Sequence, residues 1–199
     1  PPGGRQWVFD PADLPWFEQP DALSRVPEIA ARWGGEARLA GWLDAWVRDG
    51  YFIAENFVPP DLLDGIEGAL DDIWSAETPN PGLHVEDLLI DGEKIIHCPH
   101  ARLVEKSPEE RAEIERRSFW RVSGLHFQDE RARRLYEYSG FTDIASAIFD
   151  TPATPQFSLP FGKGSRQPMH QDTYVFHVWP MQFICGVWIA CEDIHPDSG

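Results

Sequence analysis

Ser165-Arg166-Gln167-Pro168-Met169-His170-Gln171-Asp172-Thr173-Tyr174 is the stretch on which the reading of the whole chain turns. In an extended strand, residues two apart point to the same face. His170 and Asp172 can then offer an imidazole nitrogen and a carboxylate oxygen to one cation, with Gln171 turned away. Nitrogen and oxygen ligands with open positions suit Fe(II), and a second His would complete the three-ligand facial set of the non-haem oxygenases. Three adjacent positions would stay free for a co-substrate and dioxygen. A lone His-x-Asp is common by chance, and a surface strand with two polar residues explains the tripeptide as well. Its neighbours carry the decision.

Working outward, Gln156 to Phe161 reads as a strand and Gly162-Lys163-Gly164-Ser165 as a turn. That Gly-rich turn lacks P-loop spacing and no helix follows it. An extended segment continues through His170 to Val178. Phe183 to Cys191 is an unbroken apolar run of strand length, the pattern of a strand covered on both faces.

Upstream of Asp150 the periodicity is helical. Leu39, Trp42, Leu43, Trp46 and Val47 form one apolar face, with Gly50 as the stop and Tyr51-Phe52-Ile53-Ala54 as a short strand. Pro59-Pro60-Asp61 opens a second helix with the stripe Leu62, Leu63, Ile66, Leu70, Ile73 and Trp74. Ser107-Pro108-Glu109-Glu110 has capping-box form and starts a polar helix ending near Arg116 and Arg117. Two more helices are expected at about Asp129–Tyr138 and Phe141–Phe149. Residues 1–35 read as an irregular arm whose aromatics Trp7, Phe9, Trp16 and Phe17 dock on the body. Helices first and strands after predict a single α+β domain, with a helical part over 36–150 and a β-sandwich or barrel core from 151.

The segment Ser165 to Asp172 closely resembles the metal-binding segment of the phytanoyl-CoA dioxygenase family. The likeness continues through Tyr174-Val175-Phe176-His177, Gly186-Val187-Trp188-Ile189-Ala190, Glu192-Asp193-Ile194 and Pro196-Asp197-Ser198-Gly199. Earlier in the chain only the order of a helix, Gly50-Tyr51-Phe52-Ile53 and a second helix is similar. The resemblance implies a double-stranded β-helix (jelly-roll, cupin-like) with N-terminal helices packed on it, and an Fe(II)- and 2-oxoglutarate-dependent hydroxylase. His170 and Asp172 match two iron ligands and so become the catalytic pair. Trp188 matches an aromatic that contacts 2-oxoglutarate; a buried core Trp is its plainer role, and the two are compatible. Gln167 and Met169 flank the ligands and, with Tyr174, are candidates for lining the co-substrate and substrate pocket; plain packing is the alternative role for Gln167 and Met169. Related halogenating enzymes carry a small residue at the position of Asp172, so the carboxylate implies hydroxylation. The second His ligand and the basic residue for the distal carboxylate of 2-oxoglutarate are expected beyond Gly199. Half of the β-helix is then absent from this sequence, which as given is not expected to hold iron and co-substrate in catalytic form.

Composition narrows the partners. The 199 residues carry 33 acidic against 17 basic side chains, a formal charge of -16. Such a surface repels phosphate backbones and anionic lipid heads, which leaves a small-molecule substrate and argues against nucleic acid and membrane. Met181 to Cys191 is too short to span a bilayer, and no signal-peptide pattern is visible. Cys98, Cys185 and Cys191 form no C-x-x-C pair, and a reducing cytoplasm fits them best. The chain opens on Pro1 rather than Met, as a trimmed start would.

Other chemistry-bearing residues have plainer readings. His97-Cys98-Pro99-His100 has metal-friendly side chains but no second cluster for a four-ligand zinc site. His195 belongs to a solvent-facing turn, and Lys94 and Lys106 read as solvated surface lysines. A non-enzymatic β-sandwich module that binds a carbohydrate or hydrophobic ligand would account for nine Trp residues, but not for the joined motif pieces. An inactive protein of the same fold is the remaining alternative.

Overall fold

A computed structural model describes residues 14–163, 169–176, 178 and 180–195. Seven helices and one hairpin are defined among them: α1 (Ala22–Arg32), α2 (Ala37–Asp49), α3 (Pro60–Ser75), β1 (His84–Ile90), β2 (Glu93–Pro99), α4 (His100–Val104), α5 (Pro108–Arg117), α6 (Glu130–Tyr136) and α7 (Ser139–Phe149). They fall into two compact units. One takes the described residues of Pro1–Phe57, Ser139–Thr154 and Gln171–Val187; the other takes those of Val58–Tyr138, Pro155–His170 and Trp188–Gly199.

In the first unit α2 packs on α1 and α7. The core joins Val26, Ile29 and Ala30 of α1 to Leu43 of α2 and to Ala147 and Ile148 of α7, with Trp16 beneath them. Trp16 donates its indole N–H to the Ile148 carbonyl at 2.7 Å, so the docking expected of Trp16 and Phe17 is observed. Trp7 and Phe9 lie outside the described residues. Gly50 ends α2 at φ 77°, in the left-handed region, with its N–H on the Trp46 carbonyl, as the stop signal predicts.

The expected irregular arm is corrected over Ala22–Arg32, which is helical despite Pro27. An interior Pro removes one backbone hydrogen bond and costs about 3 kcal/mol. Ala22, Val26, Ile29 and Ala30 form a buried stripe at helical spacing, and their burial offsets that cost. The Tyr51–Ala54 strand is also absent. Tyr51 and Ile53 are exposed while Phe52 packs on the core, so the alternation is real, but the segment has no partner strand among the described residues.

In the second unit α3 packs on α5 and α6. It starts on Pro60 and buries Leu62, Ile66, Ala69, Ile73 and Trp74, close to the expected stripe. The Ser107–Glu110 capping box is formed in both directions: Ser107 Oγ accepts from the Glu110 N–H, and Glu110 accepts from the Ser107 N–H at 2.9 Å. β1 and β2 are antiparallel, with Ile90 opposite Glu93. The two-residue turn Asp91-Gly92 has both φ angles positive (52° and 84°), the hairpin geometry that Asp-Gly favours.

Beyond β1 the sheet continues as isolated bridges, Glu86 with Arg121 and Arg121 with Phe161. The N–H groups of Val122, Gly124 and Gly162 bond to the carbonyls of Pro160, Ser158 and Trp120. The strand expected at Gln156–Phe161 is thus replaced by an irregular ladder. Pro155 and Pro160 have no N–H to give, which interrupts the regular pairing.

Between these lines lies a buried ionic cluster. The Glu86 carboxylate accepts from Arg121 Nε at 2.8 Å and from Ser123 Oγ at 2.5 Å, and it is nearly excluded from solvent. Removing one partner of such a pair strands a charge, at about 3–5 kcal/mol. Arg121→Ala should therefore lower unfolding stability by about 3 kcal/mol, the remaining Ser123 bond keeping the loss at the lower end of that range. Urea denaturation checks this, and Arg121→Ala with Glu86→Leu should recover much of the loss.

The larger correction concerns the β core. Among the described residues, 169–195 contain no strand. Asp172–Tyr174 forms a 3-10 turn instead, and residues 183–191 are irregular. A continuous apolar run becomes a covered strand only if strands flank it and layers cover it, and among the described residues it has no paired neighbour. Val187 and Trp188 are consequently exposed, Trp188 to 76%. The observed architecture is α+β with a two-stranded antiparallel sheet, and no helix among the described residues is long and apolar enough to cross a membrane.

Candidate functional site

Gln171 keeps an extended backbone (φ -107°, ψ 128°), and Asp172 opens the 3-10 turn. The Asp172 carbonyl accepts from the N–H groups of Val175 (2.9 Å) and Phe176 (2.8 Å), which fixes the backbone on which its carboxylate is mounted. Gly186 lies alongside, where an added Cβ would sit 3.8 Å from Asp172 Oδ2. Phe183 holds that neighbouring segment against Phe149 of α7, ring centroids 5.6 Å apart. His170 and Asp172 are both exposed, so each side chain is accessible to a ligand.

Met169 is fully exposed, which removes packing as its role. Tyr174 has its backbone in the 3-10 turn. Gln167 lies outside the described residues. Trp188 is not the buried core residue that the apolar run suggests, being 76% exposed. The donor set nevertheless has the right chemistry for Fe(II), one imidazole and one carboxylate. Among the described residues no group of three His, Cys, Asp or Glu side chains is placed to hold a metal. By type alone, His170 and Asp172 are side chains that bind Fe(II).

The competing histidine cluster resolves as structural. His100 is buried and uses both ring nitrogens on backbone: Nδ1 accepts from the Asn80 N–H at 2.9 Å, and Nε2 donates to the Ile73 carbonyl at 2.8 Å. Neither is left for a metal. Cys98 is fully buried, which pushes its thiol pKa up. Lys94 pairs with Asp87 at 2.7 Å, while Lys106 approaches Asp91 and Glu110. His195 is exposed.

Two further features were not legible in the sequence. His126 is buried, stacked on Tyr136 with ring centroids 3.8 Å apart, and its Nδ1 meets Ser158 Oγ at 2.5 Å. Burial, then the nearby Arg133, hold its pKa below the ordinary value near 6.5. The unfolded chain therefore binds a proton that the folded protein refuses, so stability is full above pH 6.5 and falls as acid is added. The midpoint of urea unfolding should drop between pH 7.5 and pH 5, and His126→Phe should flatten that slope. The second feature is an open groove between α3 and α5 beside Trp74 and Arg111.

Comparison with known proteins adds one positive finding. The profile of the family described as Phytanoyl-CoA dioxygenase (PhyH) matches residues 46–199, well over half of the chain and including His170, Asp172 and Trp188. No curated protein and no solved structure matches.

Proposed function

Because the chain belongs to the phytanoyl-CoA dioxygenase family, whose members are typically oxygenases, we propose that it is an Fe(II)- and 2-oxoglutarate-dependent dioxygenase hydroxylating a small organic molecule or its thioester. The supporting observation is the profile match across the His170–Asp172 segment, together with the iron-compatible chemistry of those two side chains. The double-stranded β-helix of the family is proposed as the catalytic frame, supported by the extended ladder of β1, 120–124 and 158–162. A reducing compartment such as the cytoplasm accords with the free thiols of Cys98, Cys185 and Cys191.

In this reading His170 binds iron through one ring nitrogen while the other N–H is held by an outer partner that fixes the tautomer. Asp172 supplies an oxygen ligand and a negative charge that balances the cation. Its carboxylate also fills the position that a halide would need, which favours hydroxylation. The family resemblance assigns Trp188 and Gln167 to 2-oxoglutarate binding, and Met169 and Tyr174 to the substrate pocket. Bound iron with 2-oxoglutarate and dioxygen supplies the oxidising chemistry, with succinate and carbon dioxide as co-products. The side chains position the reactants and exclude side reactions.

The direct test is conversion of 2-oxoglutarate to succinate by the purified gene product with Fe(II) in air. Succinate formation that requires both iron and oxygen supports the proposal. Its absence from folded, iron-supplied protein, with a panel of acyl thioesters and amino-acid derivatives present, contradicts it.

A further inference from the structure

Two short stretches of the first unit meet at Asp172. One is the 3-10 turn that Asp172 opens, its carbonyl accepting from Val175 and Phe176. The other is 183–187, which is tied down at its start. The Phe183 N–H bonds to the Pro180 carbonyl at 3.1 Å. The Phe183 ring packs on Phe149, which in turn lies 6.4 Å from Phe17 between ring centroids. Three residues past Phe183 stands Gly186, exposed and beside the Asp172 carboxylate.

Nothing among the described residues asks for glycine at 186. Its backbone lies outside the positive-φ region that favours glycine. A Cβ added there would meet a single atom within 4 Å, Asp172 Oδ2 at 3.8 Å, which is an ordinary contact. Gly162 is the opposite case: a Cβ on it would fall 2.0 Å from the Trp120 ring, so packing alone excludes a side chain there. Glycine inside an apolar run gives up a packing side chain, and it often marks a place where a ligand or another backbone comes close. At Gly186 the group that comes close is the carboxylate of a metal-ligand candidate.

The size of the side chain is therefore what position 186 controls. A methyl group would rest against Oδ2 without displacing it. A branched side chain carries two carbons about 1.5 Å further out, and these crowd Oδ2 or cap the space beside it. A cation on that carboxylate brings its own shell of ligands, and they need room next to the oxygen.

We propose that Gly186 is a positioning residue for the cation at Asp172: by carrying no side chain, it keeps room beside Oδ2 for the metal and the ligands the metal brings. This rests on Asp172 being an iron ligand, and it adds a residue that acts on the metal only through Asp172.

The test is titration of the gene product with Mn(II), a spectroscopically visible stand-in for Fe(II), followed by the fall in the paramagnetic resonance signal of the free ion. No turnover is needed. Gly186→Ala should bind Mn(II) within about twofold of the parent, since its methyl sits at contact distance. Gly186→Val and Gly186→Leu should each bind at least about tenfold more weakly, the scale seen when a neighbour of a metal ligand is disturbed. Urea unfolding separates this from damage to the fold. Substitutions at exposed positions usually leave stability nearly unchanged, so the variants should keep the parent midpoint. The proposal is overturned if Gly186→Val and Gly186→Leu bind Mn(II) like the parent, if Gly186→Ala costs as much as either, or if affinity is lost only in step with a lowered urea midpoint. Asp172→Ala tells the two readings apart. If it abolishes Mn(II) binding while the Gly186 variants bind normally, the role of Gly186 alone falls. If the parent binds no Mn(II), or Asp172→Ala binds it equally well, the ligand assignment falls and the role of Gly186 with it.

Discussion

Asp172→Ala should abolish 2-oxoglutarate-dependent turnover while leaving the protein folded. Loss of an outer-shell partner of a metal ligand typically costs about 10–100-fold in affinity or activity, and loss of the ligand itself should exceed that. Two effects combine here: an oxygen donor disappears, and with it the charge that balances the cation. The exposed position of Asp172 makes the variant a clean probe. Substitutions at exposed sites usually change stability by no more than about 0.5 kcal/mol, so a dead variant cannot be blamed on unfolding. Asp172→Glu keeps the charge at a different reach and should restore at most a small part of the rate. Turnover of Asp172→Ala at the parent rate would remove Asp172 from the ligand set.

The largest effect on folding is expected at Trp16. Its ring is buried in the first unit, edge-on to Phe17 with centroids 6.0 Å apart, and its N–H satisfies the Ile148 carbonyl. Truncating a core aromatic costs about 3–5 kcal/mol, and stranding a buried carbonyl adds about 1–3 kcal/mol. Trp16→Ala should therefore destabilise by roughly 5 kcal/mol, comparable to the total stability of many domains. Trp16→Phe retains most of the apolar contact and should lose only about 1–3 kcal/mol. Guanidinium denaturation of both variants separates packing from the hydrogen bond.

What could be read from sequence was what neighbours in sequence decide. Gly50 stopping α2, Pro60 opening α3 and the Ser107–Glu110 box depend on a few adjacent residues, and each is formed as expected. The β1–β2 hairpin carried an equally local signal in Asp91-Gly92, absent from the helix-dominated reading of that region. Pro27 masked α1, because a helix breaker says nothing about the buried stripe that outweighs it.

The segments from 156 onward fared differently because strands are completed by partners. The strand expected at 156–161 has Pro155 just before it and Pro160 within it and yields a broken ladder, and the apolar run at 183–191 stays irregular, with no flanking strand among the described residues. The site divides along the same line. His170 and Asp172 are recognisable by type and spacing, whereas the exposure of Trp188 depends on what covers it. The groove beside Trp74 and Arg111 depends on two helices separated by more than thirty residues meeting in space. Glu86 and Arg121, 35 residues apart, are hidden for the same reason.

The central claim is that His170 and Asp172 hold an iron that also binds 2-oxoglutarate. Anaerobic titration of the gene product with Fe(II) and then 2-oxoglutarate tests this most directly, because chelation of Fe(II) by a 2-oxo acid produces a charge-transfer band in the visible. A band that needs both additions and is lost in Asp172→Ala is the predicted result. A folded parent protein that gives no band, or an undiminished band in Asp172→Ala, would contradict it.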